Sequence, residues 1–407
     1  MPLARSSRSR LAVGGAAGVV VLALVGTLVA VFGFGNGDNT TPTTTITVPP
    51  DTTATASTVA PPQVSTPPSI AALPRPWRTG FANGVMPLQS SDADLAKDLD
   101  GMAATGARWL RLDFYWPTIQ QAGPQSWDWS GTDRVVGAAL SRGMHILAMP
   151  AYSPTWARPA GTEDHHPPLN PDWYARFVYE AVKRYAPLGV HAWEIWNEPN
   201  VDVFWQPKPD PAAYAALLER AAVAIKSVDP LSTVITGGLA PALDKADGSS
   251  LSARTFLSRV YDAGASGAFD AVGLHPYSFP AMPLDPSDWN TFYNAPTLYQ
   301  VMVDHGDAKK RIWGTEFGAP TGVDLNAGTP QFQNDVLLAG YRDWMKWSFT
   351  GPLFWYSWRD TGVNAGDRES NFGLLAHDGT PKPALNAFDD VVRQLNDSAR
   401  RASLRNK

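Results

Sequence analysis

The sequence predicts an α/β fold, a (β/α)8 barrel preceded by an N-terminal transmembrane helix and a disordered Thr/Pro-rich stalk, and three observations carry that reading. From Trp77 onward, eight short apolar runs alternate with eight longer amphipathic ones, as expected of βα units around a parallel sheet. The repeats occupy about 320 residues, the size of one barrel with insertions. Polar and aromatic residues gather at the C-terminal ends of the apolar runs, where barrels of this kind carry their chemistry. A doubly wound sheet is the alternative, but it would leave the missing Gly-rich phosphate turn unexplained.

The elements follow in order. Arg5, Arg8 and Arg10 precede Leu11 to Gly35, 25 residues without a charge, where about 20 apolar residues suffice to cross a bilayer. The core is longer than that of a cleaved signal peptide and lacks a good small-x-small site. An uncleaved anchor is therefore expected, with the arginines on the cytoplasmic side and all that follows outside the membrane. Residues 36–75, dominated by Thr, Pro, Ser, Ala and Val, cannot bury enough apolar surface to offset their ordering entropy and read as a disordered linker. The expected division is thus a basic segment at 1–10, an anchor at 11–35, a linker at 36–75, a barrel at 76–397 and a flexible tail at 398–407.

Within the barrel, strands are expected at Thr79 to Val85, Arg108 to Asp113, His145 to Pro150, Ala192 to Asn197, Thr233 to Gly238, Ala271 to His275, Ile312 to Phe317 and Leu353 to Trp358. Helices are expected between them. Leu95, Leu99, Met102 and Ala103 recur at helical spacing behind a Ser91/Asp92 cap, and Gly106 ends that run. The others are placed at Thr132 to Arg142, Asp172 to Tyr185, Pro211 to Val228, Ala253 to Ala263, Thr297 to Val303, Pro330 to Trp347 and Pro383 to Leu395.

Composition narrows the function. The 407 residues hold no cysteine, which removes disulfides, thiolate metal sites and thiol nucleophiles. A formal charge of −5 argues against a nucleic-acid partner. No Gly-x-Ser-x-Gly elbow, Walker motif or dinucleotide glycine pattern is present, and no motif calls for a cofactor. Glu163-Asp164-His165-His166 lacks helical metal-ligand spacing and reads as a solvated loop.

Two carboxylates stand out. Glu198 and Glu316 each close an apolar run, on strands four and seven, which face each other across an eight-stranded mouth. Cleavage of a glycosidic bond needs two such groups, one to protonate the leaving oxygen and one to attack carbon or activate water. A lone Glu at a strand end more often caps a helix or pairs with an Arg, so the flanking residues matter.

The runs Trp193-Glu194-Ile195-Trp196-Asn197-Glu198-Pro199-Asn200 and Trp313-Gly314-Thr315-Glu316-Phe317-Gly318 resemble signatures of the retaining glycoside hydrolase clan with a (β/α)8 (TIM) barrel and catalytic Glu on strands four and seven. With Arg111-Leu112-Asp113-Phe114, the chain looks most like glycoside hydrolase family 39 and related endoglycosidases, with family 5 next. The resemblance implies a carbohydrate substrate, Glu198 as general acid/base and Glu316 as nucleophile. It further implies that Arg111 holds Glu316 ionised, that Asn197 binds the sugar 2-hydroxyl, and that His275 and Tyr277 approach the carboxylates, the tyrosine hydroxyl bonding the nucleophile. Plainer alternatives are an Arg111–Asp113 ion pair, an Asn197 that satisfies turn backbone and a core His275.

On strand eight, Trp355 and Trp358 compete for the sugar-stacking platform of the resembled families, and alternation admits only one of them. Tyr115, Trp116, Tyr152, Trp156, Trp205 and Trp289 are further aromatic candidates at loop positions. A membrane-tethered glycosidase outside the cytoplasm, or a secreted one if the anchor is cleaved, is the leading expectation. A non-catalytic glycan-binding barrel on the same tether is its rival.

Overall fold

The computed structural model describes residues 78–324 and 326–405, and side chains to residue 398. The expected anchor and linker lie outside the described residues; among the latter no helix is long and apolar enough to cross a membrane. The elements run β1 (Thr79–Ala82), α1 (Met86–Gln89), α2 (Asp92–Ala104), β2 (Trp109–Tyr115), α3 (Trp116–Ile119), α4 (Ser130–Leu140), β3 (His145–Ala151), α5 (Pro171–Tyr185) and β4 (Ala192–Asn197). They continue as α6 (Pro211–Val228), β5 (Thr233–Gly238), α7 (Ala253–Asp262), β6 (Ala271–Leu274), α8 (Ala295–Asp304), β7 (Arg311–Phe317), α9 (Pro330–Trp344), β8 (Thr350–Tyr356) and α10 (Pro383–Arg405). All strand pairs are parallel, and β8 returns to β1 through Phe81↔Trp355 to close the barrel.

The helices start where the sequence offers caps. Side chains of Ser91, Asn170, Asp210, Ser252 and Thr329 accept from backbone N–H groups of the first turns of α2, α5, α6, α7 and α9. Proline follows the cap directly in α5, α6 and α9, where its missing N–H costs nothing. Gly106, at φ +85°, turns the chain out of α2 toward β2. Helix α10 continues past the expected end at Leu395, because residues 396–405 contain neither glycine nor proline to stop it. The four-residue helices α1 and α3 are too short to show a hydrophobic period and were invisible to periodicity.

Two apolar layers hold the barrel. Outward strand residues such as Phe81, Leu110, Leu112, Phe114 and Val272 pack against the helices. Inside, Trp109, Leu147, Ala192, Ile235, Ala271, Trp313 and Phe354 form a floor, with Trp109 edge-on to Trp313 at 5.5 Å between ring centroids. Two positions further along the same strands stand Arg111, Glu194, Thr315 and Tyr356, which is about 6.6 Å of rise. The interior thus passes from aromatic to charged in one step of the pleat, and the charged layer opens at the C-terminal mouth.

Candidate active site

Arg111 is the centre of the charged layer. Its Nε donates to Glu194 Oε2 at 2.5 Å, Nη1 to Glu316 Oε1 at 2.7 Å and Nη2 to Asn197 Oδ1 at 2.8 Å. Both Arg111 and Glu194 are essentially excluded from solvent. Glu194 Oε1 also accepts from the Gly238 N–H at 2.8 Å and the Thr315 hydroxyl at 2.9 Å. It is therefore a fully satisfied counter-ion that fixes the arginine. Arg111 does not form the alternative hydrogen-bonded pair with Asp113; its nitrogens go to strands β4 and β7.

Two backbone irregularities aim the acidic side chains. Strict alternation would turn Asn197 outward, but Trp196 adopts φ +70° and Glu198 φ +44°. The left-handed turn sends Trp196 into the outer core, where its indole donates to Phe204 O, and brings Asn197 to Arg111. On β7 the pairing with β8 shifts between Gly314 and Phe317. That bulge lets neighbouring residues both face inward, Thr315 to Glu194 and Glu316 to Arg111. Bulges of this kind commonly re-aim side chains beside active sites.

Around the pair, His275 Nδ1 lies 2.7 Å from Glu198 Oε1 and 3.6 Å from Glu316 Oε2. Tyr277 donates its hydroxyl to Glu316 Oε2 at 2.9 Å. One ligand atom each from Glu198, His275 and Glu316 fall within 4.8 Å of one another. These three could offer donors to a metal ion, but the Arg111 guanidinium already occupies one side of Glu316, so a second cation would be set against it. Gly238 is what admits His275, since a Cβ there would come within 2.2 Å of the ring nitrogen Nε2 and 2.5 Å of Thr315 Oγ1.

The two glutamates differ electrostatically. Burial, followed by repulsion from Glu316, pushes the Glu198 carboxyl well above the usual carboxylate range. Burial also raises Glu316, but the Arg111 charge and the Tyr277 hydrogen bond oppose it. Burial and the nearby Arg111 hold His275 well below its ordinary value, in the neutral form. A protonated Glu198 beside an Arg-paired Glu316 is what an acid and a nucleophile require.

A cavity of about 370 Å³ opens at this mouth, lined by Arg111, Asn197, Glu316, Tyr115, Tyr152 and Tyr356 among others. Tyr152 and Tyr115 reach it as expected; Trp116 and Trp205 are core residues. Neither tryptophan of β8 lines it. Trp355, 0% exposed, faces the helices edge-on to Phe317, and Trp358, 4% exposed, packs on Phe81 behind the sheet. Alternation gives the inward place to Tyr356, between them in the chain, and a search for tryptophan alone overlooks it. The loop read as solvated is also closer than expected: His165 lines the cavity with its ring 4.2 Å from that of Tyr152, and Asp164 accepts from the Tyr115 hydroxyl. Tyr356→Ala should raise KM and leave the melting temperature nearly unchanged. Trp355→Ala should instead destabilise by about 3–5 kcal/mol, as for other large aromatic deletions in cores; thermal melts and initial rates of the two variants separate the cases.

A closed parallel barrel carrying a buried carboxyl pair at the ends of β4 and β7 defines a glycoside hydrolase of the (β/α)8 class. The comparisons agree. The model of the cellulase family, glycosyl hydrolase family 5, matches residues 80–281, a span that includes Glu198 and stops short of Glu316. No curated protein matches the chain. Among solved structures, a family 39 glycoside hydrolase from Bacteroides cellulosilyticus WH2 superposes with TM-score 0.62 at 24% identity over 79% of this chain and 65% of that one. A monomeric beta-xylosidase from Caulobacter crescentus CB15 gives 0.59 at 20% over 78% and 68%. A GH5_18 protein from Streptomyces cattleya, in complex with GlcNAc, gives 0.57 at 17% over 78% and 80%. The chain thus spans about two thirds of the family 39 structure, and it is similar in fold to the glycoside hydrolases with (β/α)8 barrels.

Proposed function

We propose that the protein hydrolyses O-glycosidic bonds of an oligosaccharide or polysaccharide with net retention, by double displacement. Glu198 protonates the leaving oxygen while Glu316 attacks the anomeric carbon, giving a glycosyl ester on Glu316. A water molecule then gives its proton to Glu198 and its oxygen to the anomeric carbon, releasing Glu316. The observation that carries this reading is the closeness of the two carboxylates, with oxygens inside 4.8 Å. Retaining sites separate their carboxyl groups by about 5–5.5 Å, whereas inverting sites leave about 6.5–9.5 Å for a water between them. In this reading Asn197, whose Oδ1 accepts from Arg111, bonds the sugar 2-hydroxyl. The uncharged run Leu11 to Gly35 behind three arginines supports anchorage to the cell membrane with the barrel outside.

Retention is tested by proton NMR of the first product formed from a cleaved glycoside. The anomer should match that of the substrate; the opposite anomer at early time would exclude Glu316 as nucleophile.

A further inference from the structure

Trp156 and Trp173 take no part in the chemistry described above and are not among the residues that line the cavity. Their ring centroids are 5.7 Å apart, with the planes tilted at 55°. Trp173, on the first turn of α5, is 37% exposed, and Trp156 is half-buried. The Trp156 indole is held in place: its N–H donates to Gln120 O at 2.7 Å, and Trp116 stands at 90° to it with 5.6 Å between centroids. The Leu169 N–H donates to Ala157 O at 2.8 Å, which brings Leu169, 63% exposed, to the same edge of the loop. Single apolar residues at a surface are ordinary, whereas a contiguous aromatic group of fixed geometry marks a contact.

Size and position select the occupant. A whole aromatic side chain covers at most about 250 Å². Less than half of either indole is exposed, so the pair offers well under the roughly 500 Å² per partner of even a small stable protein interface. A strand of linked sugar rings needs less, because each ring lays one apolar C–H face on an indole and keeps its hydroxyls in water. The pair also continues the cavity. Thr118 and Ile119, at the end of α3, line the cavity, and the next residue, Gln120, carries the carbonyl that holds Trp156. Exposed polar side chains flank the rings: Gln121, and Arg176 on the same face of α5 as Trp173. Both can bond to sugar hydroxyls.

We propose that Trp156 and Trp173 form a second carbohydrate-binding surface, outside the catalytic cavity, which holds a distal stretch of a polysaccharide chain whose end enters the mouth. The inference rests on the hydrolase reading for the identity of the polymer, not for the existence of the surface. The 55° between the rings suits a single strand that twists from one unit to the next; a flat array of chains would meet one ring and miss the other. Holding the strand at two places makes the second contact intramolecular and raises affinity for long chains. A monosaccharide glycoside in the cavity does not reach past α3 and gains nothing.

Affinity electrophoresis of the full chain, carrying Glu316→Ala to stop turnover, tests this in gels containing soluble xylan, glucomannan, mixed-linkage glucan or arabinogalactan. At least one polymer should retard the protein. Trp173→Ala should weaken that binding about tenfold, the size expected when an indole face is lost from a contact, and Trp173→Phe should restore most of it. With Glu316 intact, Trp173→Ala should lower kcat/KM for the retarding polymer and leave it unchanged for a monosaccharide aryl glycoside. Retardation by no polymer, or equal retardation of the parent and Trp173→Ala, would overturn the proposal. An equal loss of kcat/KM on polymer and small glycoside would also overturn it, by placing Trp173 at the catalytic cavity. Self-association abolished by Trp173→Ala, with polymer binding unchanged, would assign the pair to a protein contact instead. Trp173-dependent polymer binding by a chain that cleaves no glycoside would remove the hydrolase reading and leave this surface; glycoside turnover with polymer binding indifferent to Trp173→Ala would do the reverse.

Discussion

Glu316→Ala is expected to abolish turnover, by roughly 10⁶-fold if its loss matches that of catalytic nucleophiles elsewhere, with the melting temperature close to that of the parent. Both Glu316 oxygens accept hydrogen bonds, from Arg111 and Tyr277, and neither partner can replace the carboxylate at carbon. Glu198→Ala should lose about 10²–10⁴-fold, the usual share of a general acid/base. It should recover rate when azide is supplied, with formation of a glycosyl azide of unchanged configuration, because a small anion needs no general base. Azide rescue of Glu316→Ala instead, or full activity in either variant, would overturn the role assignment.

The same pair sets the pH profile. In the proposed mechanism Glu198 works protonated, and its pKa is raised, so activity should persist above the ordinary carboxylate range and fall as pH rises through the Glu198 value. In the same mechanism Glu316 works ionised, so activity should fall on the acid side as pH drops through its own value. With an aryl glycoside whose leaving group needs no protonation, Glu198→Gln should lose the alkaline limb and keep the acid one. A kcat/KM profile that keeps both limbs in that variant would place the titrating acid elsewhere.

Arg111→Met is the second large effect. Removing the arginine leaves Glu194 buried with no cation and Glu316 without the charge that opposes burial. Breaking one partner of a buried pair costs about 3–5 kcal/mol, on the order of 10 °C in melting temperature for a domain of this size. Activity should fall further than stability, since a protonated Glu316 is no nucleophile. Arg111→Lys keeps the charge but cannot reach Glu194, Glu316 and Asn197 together, so it should recover part of the stability and little of kcat. Glu194→Gln should lower stability with Arg111 in place and cost far less in the Arg111→Met background. A calorimetric double-mutant cycle in which the two losses simply add would show that they do not act as one unit.

Much of the barrel was legible because its signals are local. Ala192–Asn197, Thr233–Gly238 and Pro211–Val228 fall where period and caps place them, since apolar alternation, a capping Asp210 and a proline after it are all read within one element. Glu198 and Glu316 were legible as strand-end residues inside distinctive runs. Glu194 was not. It lies mid-strand within Ala-Trp-Glu-Ile-Trp-Asn, and only an inward charge opposite Arg111 two strands away gives it a role; an acidic residue inside an otherwise apolar strand was the available signal.

The residues by themselves determined the eightfold alternation, the helix starts and the identity of the two carboxylates, because propensity, capping and hydrophobic period act over a few neighbouring positions. Which side chains share the mouth was decided by tertiary structure. Closure of the barrel brings Arg111 to Glu194 and Glu316, 83 and 205 positions away in the chain. The positive φ at Trp196 and the bulge before Phe317 reverse the alternation that the sequence alone would extend. On β8 no such break intervenes before Tyr356, so alternation holds and a tyrosine takes the place sought for tryptophan. Facing depends on register between strands, and register is a property of pairs that the linear chain does not state.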